Sequence, residues 1–318
     1  DASPPSAQAI IRRLMAIAMG VAAESINVVP RPFGKLVIPT EQQLYTSADG
    51  MVNVFKDLRP VLPGHMVIAP SRTDDVALLS KLADAELTCL VAAIHEVQAR
   101  AEGADAFNIA IQDGAAAGQP VLLQSHVHIH VVPRVAGDLE NNDEIYDKIA
   151  TWSPEGEPTV PPPFYVPSDE ERKPRTAEQM AEEARKYAAH AAHERIAWRL
   201  YGENGVGGEP LPDAPFQFGK FMLDASQLFY SSKLSVATVN LKPLCPGHVL
   251  CVPKRNVPRM ADLEQEERED LWRMVREVQQ IVMECHGSSA CKIGVQDGRE
   301  AGQSVPHVHV HVLPQKEV

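Results

Sequence analysis

HVHIHVV at residues 126–132 and HVHVHVL at residues 307–313 are two versions of one pattern, three histidines alternating with apolar residues. The chain has twelve histidines in 318 residues, and half of them sit here. Alternation with period two marks a strand with unlike faces. It puts His126, His128 and His130 on one face and Val127, Ile129 and Val131 on the other. His307, His309 and His311 stand likewise against Val308, Val310 and Val312. The aliphatic face suits a core. A strand that is structural alone has no need of the imidazole row.

Working outward, three more blocks recur in the same order. Phe33-Gly34-Lys35 matches Phe218-Gly219-Lys220, and Pro63-Gly64-His65 matches Pro246-Gly247-His248. Gln112-Asp113-Gly114 with Ala117-Gly118-Gln119 matches Gln296-Asp297-Gly298 with Ala301-Gly302-Gln303. The offsets run from 181 to 185 residues, so the chain is a duplication of two domains rather than a solenoid. Each copy reads as a strand (VNVFKD or VATVNL), a Pro-Gly turn, a strand (HMVIAP or HVLCVP) and an amphipathic helix near 74–102 or 262–286. A further strand (NIAIQDG or CKIGVQDG), a Gly-containing loop and the histidine strand complete it. In the second helix Leu271, Met274, Val275, Val278 and Ile281 or Val282 keep helical spacing. This is an α+β plan, strands around one helix. The domain limits follow as an N-terminal extension (1–28), a first domain (29–150), a Pro-rich linker and helix (151–214) and a second domain (215–318). Residues 154–174 hold seven prolines. Thr176 and Gln179 form a capping-box pattern that opens a helix running to about Tyr201, where GENGVGGEP stops it.

Composition narrows the function classes. The net charge is −12 with no long basic run, which argues against a broad nucleic-acid surface. No apolar run approaches the length of a membrane span. Five cysteines without a CxxC fit free thiols in a reducing, intracellular compartment. The cytoplasm is the expected place, with a mitochondrion or another organelle as the alternative. Residues 10–23, carrying Arg12 and Arg13, read as a short docking helix or as the mature end left after organelle import.

Three readings of the imidazole rows compete. One is a set of satisfied surface histidines. The second is a metal site, since alternating histidines on a strand can ligate zinc, but no Asp, Glu or Cys recurs in a matching position to complete it. The third is a nucleophilic histidine with helpers, because neutral imidazole attacks phosphorus well and its neighbours can fix its tautomer and protonate a leaving group. The matching QDG and AGQ blocks before both triplets favour the third.

Both copies resemble the histidine triad family, His-φ-His-φ-His-φ-φ with φ apolar, over roughly residues 31–150 and 215–316. The branch most similar is the fragile histidine triad type, the dinucleoside polyphosphate hydrolases. PLCPGHVLCVP, VQDGREAGQSVPHVHVHVLP, PRVAGDLENNDEIYDKI and RTAEQMAEEARKY carry the resemblance. It implies two five-stranded antiparallel sheets joined as an intramolecular pseudo-dimer with ten strands. It implies that His309, and in copy one His128, attacks the α-phosphorus to form a nucleotidyl-histidine. His248, His307, His311, Gln296, Gln303 and Ser304 would line the phosphate site of copy two. His65, His126, His130, Gln112 and Gln119 would do so in copy one. Asn240 takes the ribose-binding position, and Asp57 replaces it in copy one. The expectation is of no metal and no cofactor bound by the protein, with a divalent cation able to accompany the substrate.

The copies depart from the pattern differently. Copy one runs from Gly118 to His126 through a loop three residues longer, with Pro120 where copy two has Ser304. The insertion is expected to move Gln119 off the phosphates, with Gln124 or Ser125 as substitutes. Copy two is therefore expected to be the more active. Its LPQKEV carries Gln315 in place of Arg134 and no following tail, so either copy one's tail serves both sites or copy two is looser towards the second nucleotide. The substrate expected is a nucleotide such as diadenosine triphosphate. A nucleotide-binding scaffold or subunit with little catalysis, and a nucleoside phosphoramidase, are the alternatives. The N-terminal segment or the linker is the expected surface for a protein partner. The family's DNA-repair branch is not the expected one, because no Cys/His spacing supplies its zinc finger.

Overall fold

The computed structural model describes residues 31–104, 106–120, 123, 126–142, 144–153 and 171–316. The helix expected at 10–23, most of the Pro-rich stretch, and Gln124 and Ser125 lie outside the described residues. The first copy comprises β1 (Arg31–Phe33), β2 (Leu36–Ile38), β3 (Gln43–Thr46), β4 (Val52–Lys56), β5 (Met66–Pro70), α1 (Asp84–Arg100), β6 (Ala106–Asp113), β7 (Ile129–Arg134) and α2 (Glu144–Ala150). Helices α3 (Ala177–Glu194) and α4 (Ile196–Tyr201) follow. The second copy repeats the plan with β8 (Phe216–Phe218), β9 (Phe221–Leu223), β10 (Leu228–Ser231), β11 (Ser235–Val239), β12 (Val249–Pro253), α5 (Gln265–His286), β13 (Ala290–Asp297) and β14 (Val310–Gln315).

Ten strands form one sheet in the order β10-β11-β12-β14-β13-β6-β7-β5-β4-β3. Their pairings are antiparallel, and the two copies meet at β13–β6, from Cys291↔Asp113 to Asp297↔Phe107. The expected pseudo-dimer with a ten-stranded sheet is what forms. Helices α1 and α5 pack together against one face. Val127, Ile129, Val131, Val308, Val310 and Val312 are buried in the same core as Leu90 and Ile94 of α1 and Leu271, Val275 and Val278 of α5. The period-two reading of the triplets therefore holds, and the imidazoles take the face away from the helix layer.

The meeting of the copies explains the QDG blocks. Asp113 is fully buried, accepts from Leu79 N–H (2.8 Å) and from Gln279 Nε2 of the other copy's helix. Asp297 accepts from Met260 N–H (3.0 Å), from Arg259 Nε (2.9 Å) and from Gln98 Nε2 across the interface (2.6 Å). Gly114 and Gly298 have φ of +102° and +106°, and a Cβ there would lie 2.9 Å from Ala290 Cβ and 2.8 Å from Ala106 Cβ respectively. Both the backbone conformation and the neighbouring copy demand glycine.

Three local expectations need correction. Helix α1 starts at Asp84, not near residue 74. The preceding chain is held instead by a bridge from Val76 to His126 and by the Asp113 contact to Leu79. The histidine segments enter the sheet late, at Ile129 and Val310, so only His130 and His311 stand in a ladder. The helix opened by the Thr176–Gln179 box breaks at Arg195, whose φ of +48° ends α3 before α4 begins.

Candidate active site

The tautomer of each triad histidine follows from its partners. His128 Nδ1 lies 3.0 Å from the carbonyl oxygen of His126, and His309 Nδ1 lies 2.7 Å from that of His307. A carbonyl only accepts, so Nδ1 carries the proton and Nε2 keeps its lone pair. His126 and His307 are set the other way. Their Nδ1 atoms accept from Gly34 N–H (2.9 Å) and Gly219 N–H (3.2 Å), and their Nε2–H donates to Pro70 O (2.8 Å) and Pro253 O (2.9 Å). These outer histidines brace the loops of the FGK blocks.

A relay fixes the third member. Val61 N–H donates to His65 Nδ1 (3.3 Å), so His65 Nε2–H donates to His130 Nδ1 (3.0 Å). Leu244 N–H donates to His248 Nδ1 (3.0 Å), and His248 Nε2–H donates to His311 Nδ1 (2.9 Å). His130 and His311 are left with Nε2–H groups, and these have no hydrogen-bond partner among the described residues. Each copy thus offers one imidazole lone pair beside one imidazole N–H; the ring centres are 4.9 Å apart in both. Burial keeps the set neutral, lowering the pKa of His128 and His309 to about 4, that of His65 and His248 to about 3, and those of His130 and His311 well below the ordinary value.

The copy-two triad opens onto a cavity of about 820 Å³. Asn240, His248, His309, His311, Gln296 and Ser304 all line it. Copy one's tail covers the same cavity. Ile145, Tyr146 and Ile149 of α2 line it, and Gln296 Nε2 donates to Tyr146 Oη (2.6 Å). The tail of copy one therefore does reach copy two. Phe221, Met222 and Leu241 are exposed apolar side chains on the cavity wall, a surface that the sequence reading missed. Arg172, Lys242 and Lys292 add positive charge to it. Lys292 is lowered to about 8 by burial.

Gln119 and Gln303, expected on the phosphates, are turned to the backbone instead. Gln119 Nε2 donates to His126 O (3.2 Å) and Gln303 Nε2 to Pro258 O (2.9 Å) and His307 O (3.5 Å). The insertion in copy one has not displaced Gln119 relative to its counterpart. Gln112 Nε2 reaches Ile149 O (3.3 Å). Gly118 and Gly302 allow this packing, since a Cβ on either would lie 2.9 Å from the Nε2 of Gln112 or Gln296.

The expectation that copy two is the more active copy is overturned. The buried His/Asp cluster is in copy one, where Asp57, His65 and His130 bring their polar atoms within 4.8 Å of one another. Asp57 Oδ2 is 3.6 Å from His65 Nδ1, and burial raises the carboxyl to about 6. Copy two has an amide here: Asn240 Oδ1 accepts from Lys242 N–H (2.9 Å) and Nδ2 lies 3.4 Å from His248 Nε2. The same cluster has the donor types of a metal site. However, His65 and His130 already spend a nitrogen each on one another, as their counterparts do in copy two without a carboxylate.

The HIT domain family model matches residues 40–137 and 224–318. A bis(5'-nucleosyl)-tetraphosphatase (asymmetrical) of Schizosaccharomyces pombe is 55% identical over 100 residues, 31% of this chain and 54% of that protein. A bifunctional bis(5'-adenosyl)-triphosphatase/adenylylsulfatase of Arabidopsis thaliana is 46% identical over 101 residues, 32% of this chain and 56% of that one. The chain thus spans about half the length of these relatives. Among solved structures, the Caenorhabditis elegans NitFhit protein aligns over 42% of this chain and 32% of its own, with 39% identity and a TM-score of 0.33.

Proposed function

The chain belongs to the HIT domain family, and we propose that it hydrolyses dinucleoside polyphosphates through a nucleotidyl-histidine. The observation that carries this reading is the locked tautomer of His128 and His309, each with its Nε2 lone pair directed away from the carbonyl that holds Nδ1. Nε2 attacks the α-phosphorus, a P–N bond forms and the bond to the bridging oxygen breaks. The imidazole becomes cationic, and its Nδ1–H stays on the carbonyl. The Nε2–H of His130 or His311 donates to phosphate oxygens as charge shifts onto them. Water then cleaves the P–N bond, releases the nucleoside monophosphate and restores the neutral imidazole.

In this reading Asn240 and Asp57 take the ribose hydroxyls. Gln296, Gln112 and Ser304 lie along the phosphates, while Gln303, Gln119, His307 and His126 hold the loops around them. The apolar wall of Phe221, Met222 and Leu241 receives a base, and the cations of the cavity suit a polyanion. The names of the relatives, a tetraphosphatase and a triphosphatase, support the substrate class.

The test is turnover of diadenosine triphosphate by the wild type, His128→Ala, His309→Ala and the double variant, with products separated by chromatography. Equal release of AMP and ADP, abolished in the double variant, is the expected result. Turnover that survives in the double variant overturns the nucleophile assignment.

A further inference from the structure

One side chain of copy one has no equivalent among the described residues of copy two. Trp152, two residues beyond α2, is 5% exposed and sits directly on the triad. Its ring centre is 4.8 Å from that of His130, 5.7 Å from His128 and 6.5 Å from His65. Its indole Nε1–H donates to Asp57 Oδ1 (3.0 Å) and to Arg59 O (3.2 Å). Asp57 is the counterpart of Asn240, which lines the open cavity of copy two. An aromatic ring against the histidines, with a polar hydrogen on the ribose-position carboxylate, is how a nucleoside would sit.

Two further differences fit the ring to this place. Phe55 stands where copy two has Thr238, a cavity-lining residue, and Leu123 comes from the inserted loop. Trp152, Phe55 and Leu123 belong to one apolar cluster with Phe33, Ile38 and Val67. His128 Nε2 is buried and has no hydrogen-bond partner among the described residues.

We infer that Trp152 occupies the nucleoside pocket of copy one as a built-in competitor that a nucleotide displaces on its way to His128, so the ring sets how tightly copy one binds and not which copy is the more active. The inference rests on the nucleotide reading of the site for its consequence, but not for its geometry. Copy one then holds an armed triad under a cap made by its own chain. A ligand that binds copy one must displace the indole, so its apparent affinity is reduced by the fraction of molecules in which the ring is seated.

Labelling of the full chain with diethyl pyrocarbonate, mapped by peptide mass spectrometry, tests this without any substrate. In the wild type His309 should be modified and His128 protected; equal labelling of the two overturns the proposal. That comparison requires no variant, so it stands even if Trp152→Ala fails to fold. In folded Trp152→Ala, His128 should become reactive, and continued protection overturns the proposal. In a His309→Ala background, Trp152→Ala should lower the KM for diadenosine triphosphate by about ten-fold or more, and an unchanged KM overturns the proposal. If no variant and no wild type turns the substrate over, the hydrolase reading fails, and the labelling pattern still decides whether Trp152 is the cap.

Discussion

His311 and His130 stand in one cross-strand row, separated by Gly294 and Ala110. The pairings His311↔Gly294, Gly294↔Ala110 and Ala110↔His130 run through β14, β13, β6 and β7 without a break. Directly opposed residues share a face, so both phosphate-side histidines look out of the same side of the sheet, three strand spacings or about 14 Å apart. Between them the floor is as low as side chains allow. One continuous surface thus connects two triads, and the cavity of copy two extends over copy one's β6 through Asn108, Ala110 and Gln112.

The floor has its own test. A Cβ on Gly294 would meet nothing closer than Ile109 O at 3.9 Å, so Gly294→Leu should fold with an unchanged melting temperature. Its side chain would rise into the cavity. The KM for diadenosine triphosphate should increase by about ten-fold, with less effect on a mononucleotide ester. Equal effects on both would show that the second nucleotide lies elsewhere.

Acid should not silence the nucleophile where it silences an ordinary histidine. His128 and His309 stay neutral until about pH 4, rather than 6.5. The profile of kcat/KM should be level from pH 7 to about 5 and fall below it. An acid limb centred near 6.5 would refute the buried, neutral triad. Stability follows the same sign. Below pH 6.5 the unfolded chain takes up protons that the native histidines refuse, so stability declines as pH falls from 6.5 towards 4. Asp57 and Asp113, raised to about 6, oppose this between pH 6 and 4 because the native form binds their protons first.

The relay predicts a rescue. His248→Ala leaves His311 Nδ1 without its donor and frees the tautomer, so kcat should drop by about 10²-fold. His248→Asn still offers an N–H and should recover part of the loss. If alanine and asparagine behave alike, His248 acts through packing only.

The clasp between copies can be broken without touching either triad. Gln279→Leu removes the partner of a fully buried Asp113 oxygen and should destabilise the fold by about 1–3 kcal/mol in urea titration. Gly298→Ala adds strain at φ +106° and a clash with Ala106, and should cost about 2 kcal/mol. If both variants match wild type, the central pairing is looser than its hydrogen bonds imply.

The parts of this architecture that repeat were legible in the sequence. Period-two alternation placed Val127 and Val308 in the core, and the recurrence of Pro-Gly-His and Gln-Asp-Gly placed the turns. What was not legible depends on contacts between distant segments. Nothing local marks Asp113 as a partner of Gln279, or Asp57 as a neighbour of His65. Trp152 is a lone aromatic next to prolines, and only the folded chain puts it on His130. Helix α1 begins late because Asp113 captures Leu79, again a long-range event. The ranking of the two copies failed for the same reason, since loop length was visible and the Asp57 cluster was not.

The β6–β13 seam has one more consequence. In a dimer of separate chains such a seam would come apart on dilution. Here a covalent tether keeps the two halves at a high effective concentration, so the amount of protein ceases to govern assembly. The tether also breaks the rule that every substitution appears twice. Phe55 in the place of Thr238 is an asymmetry that two identical polypeptides could not carry.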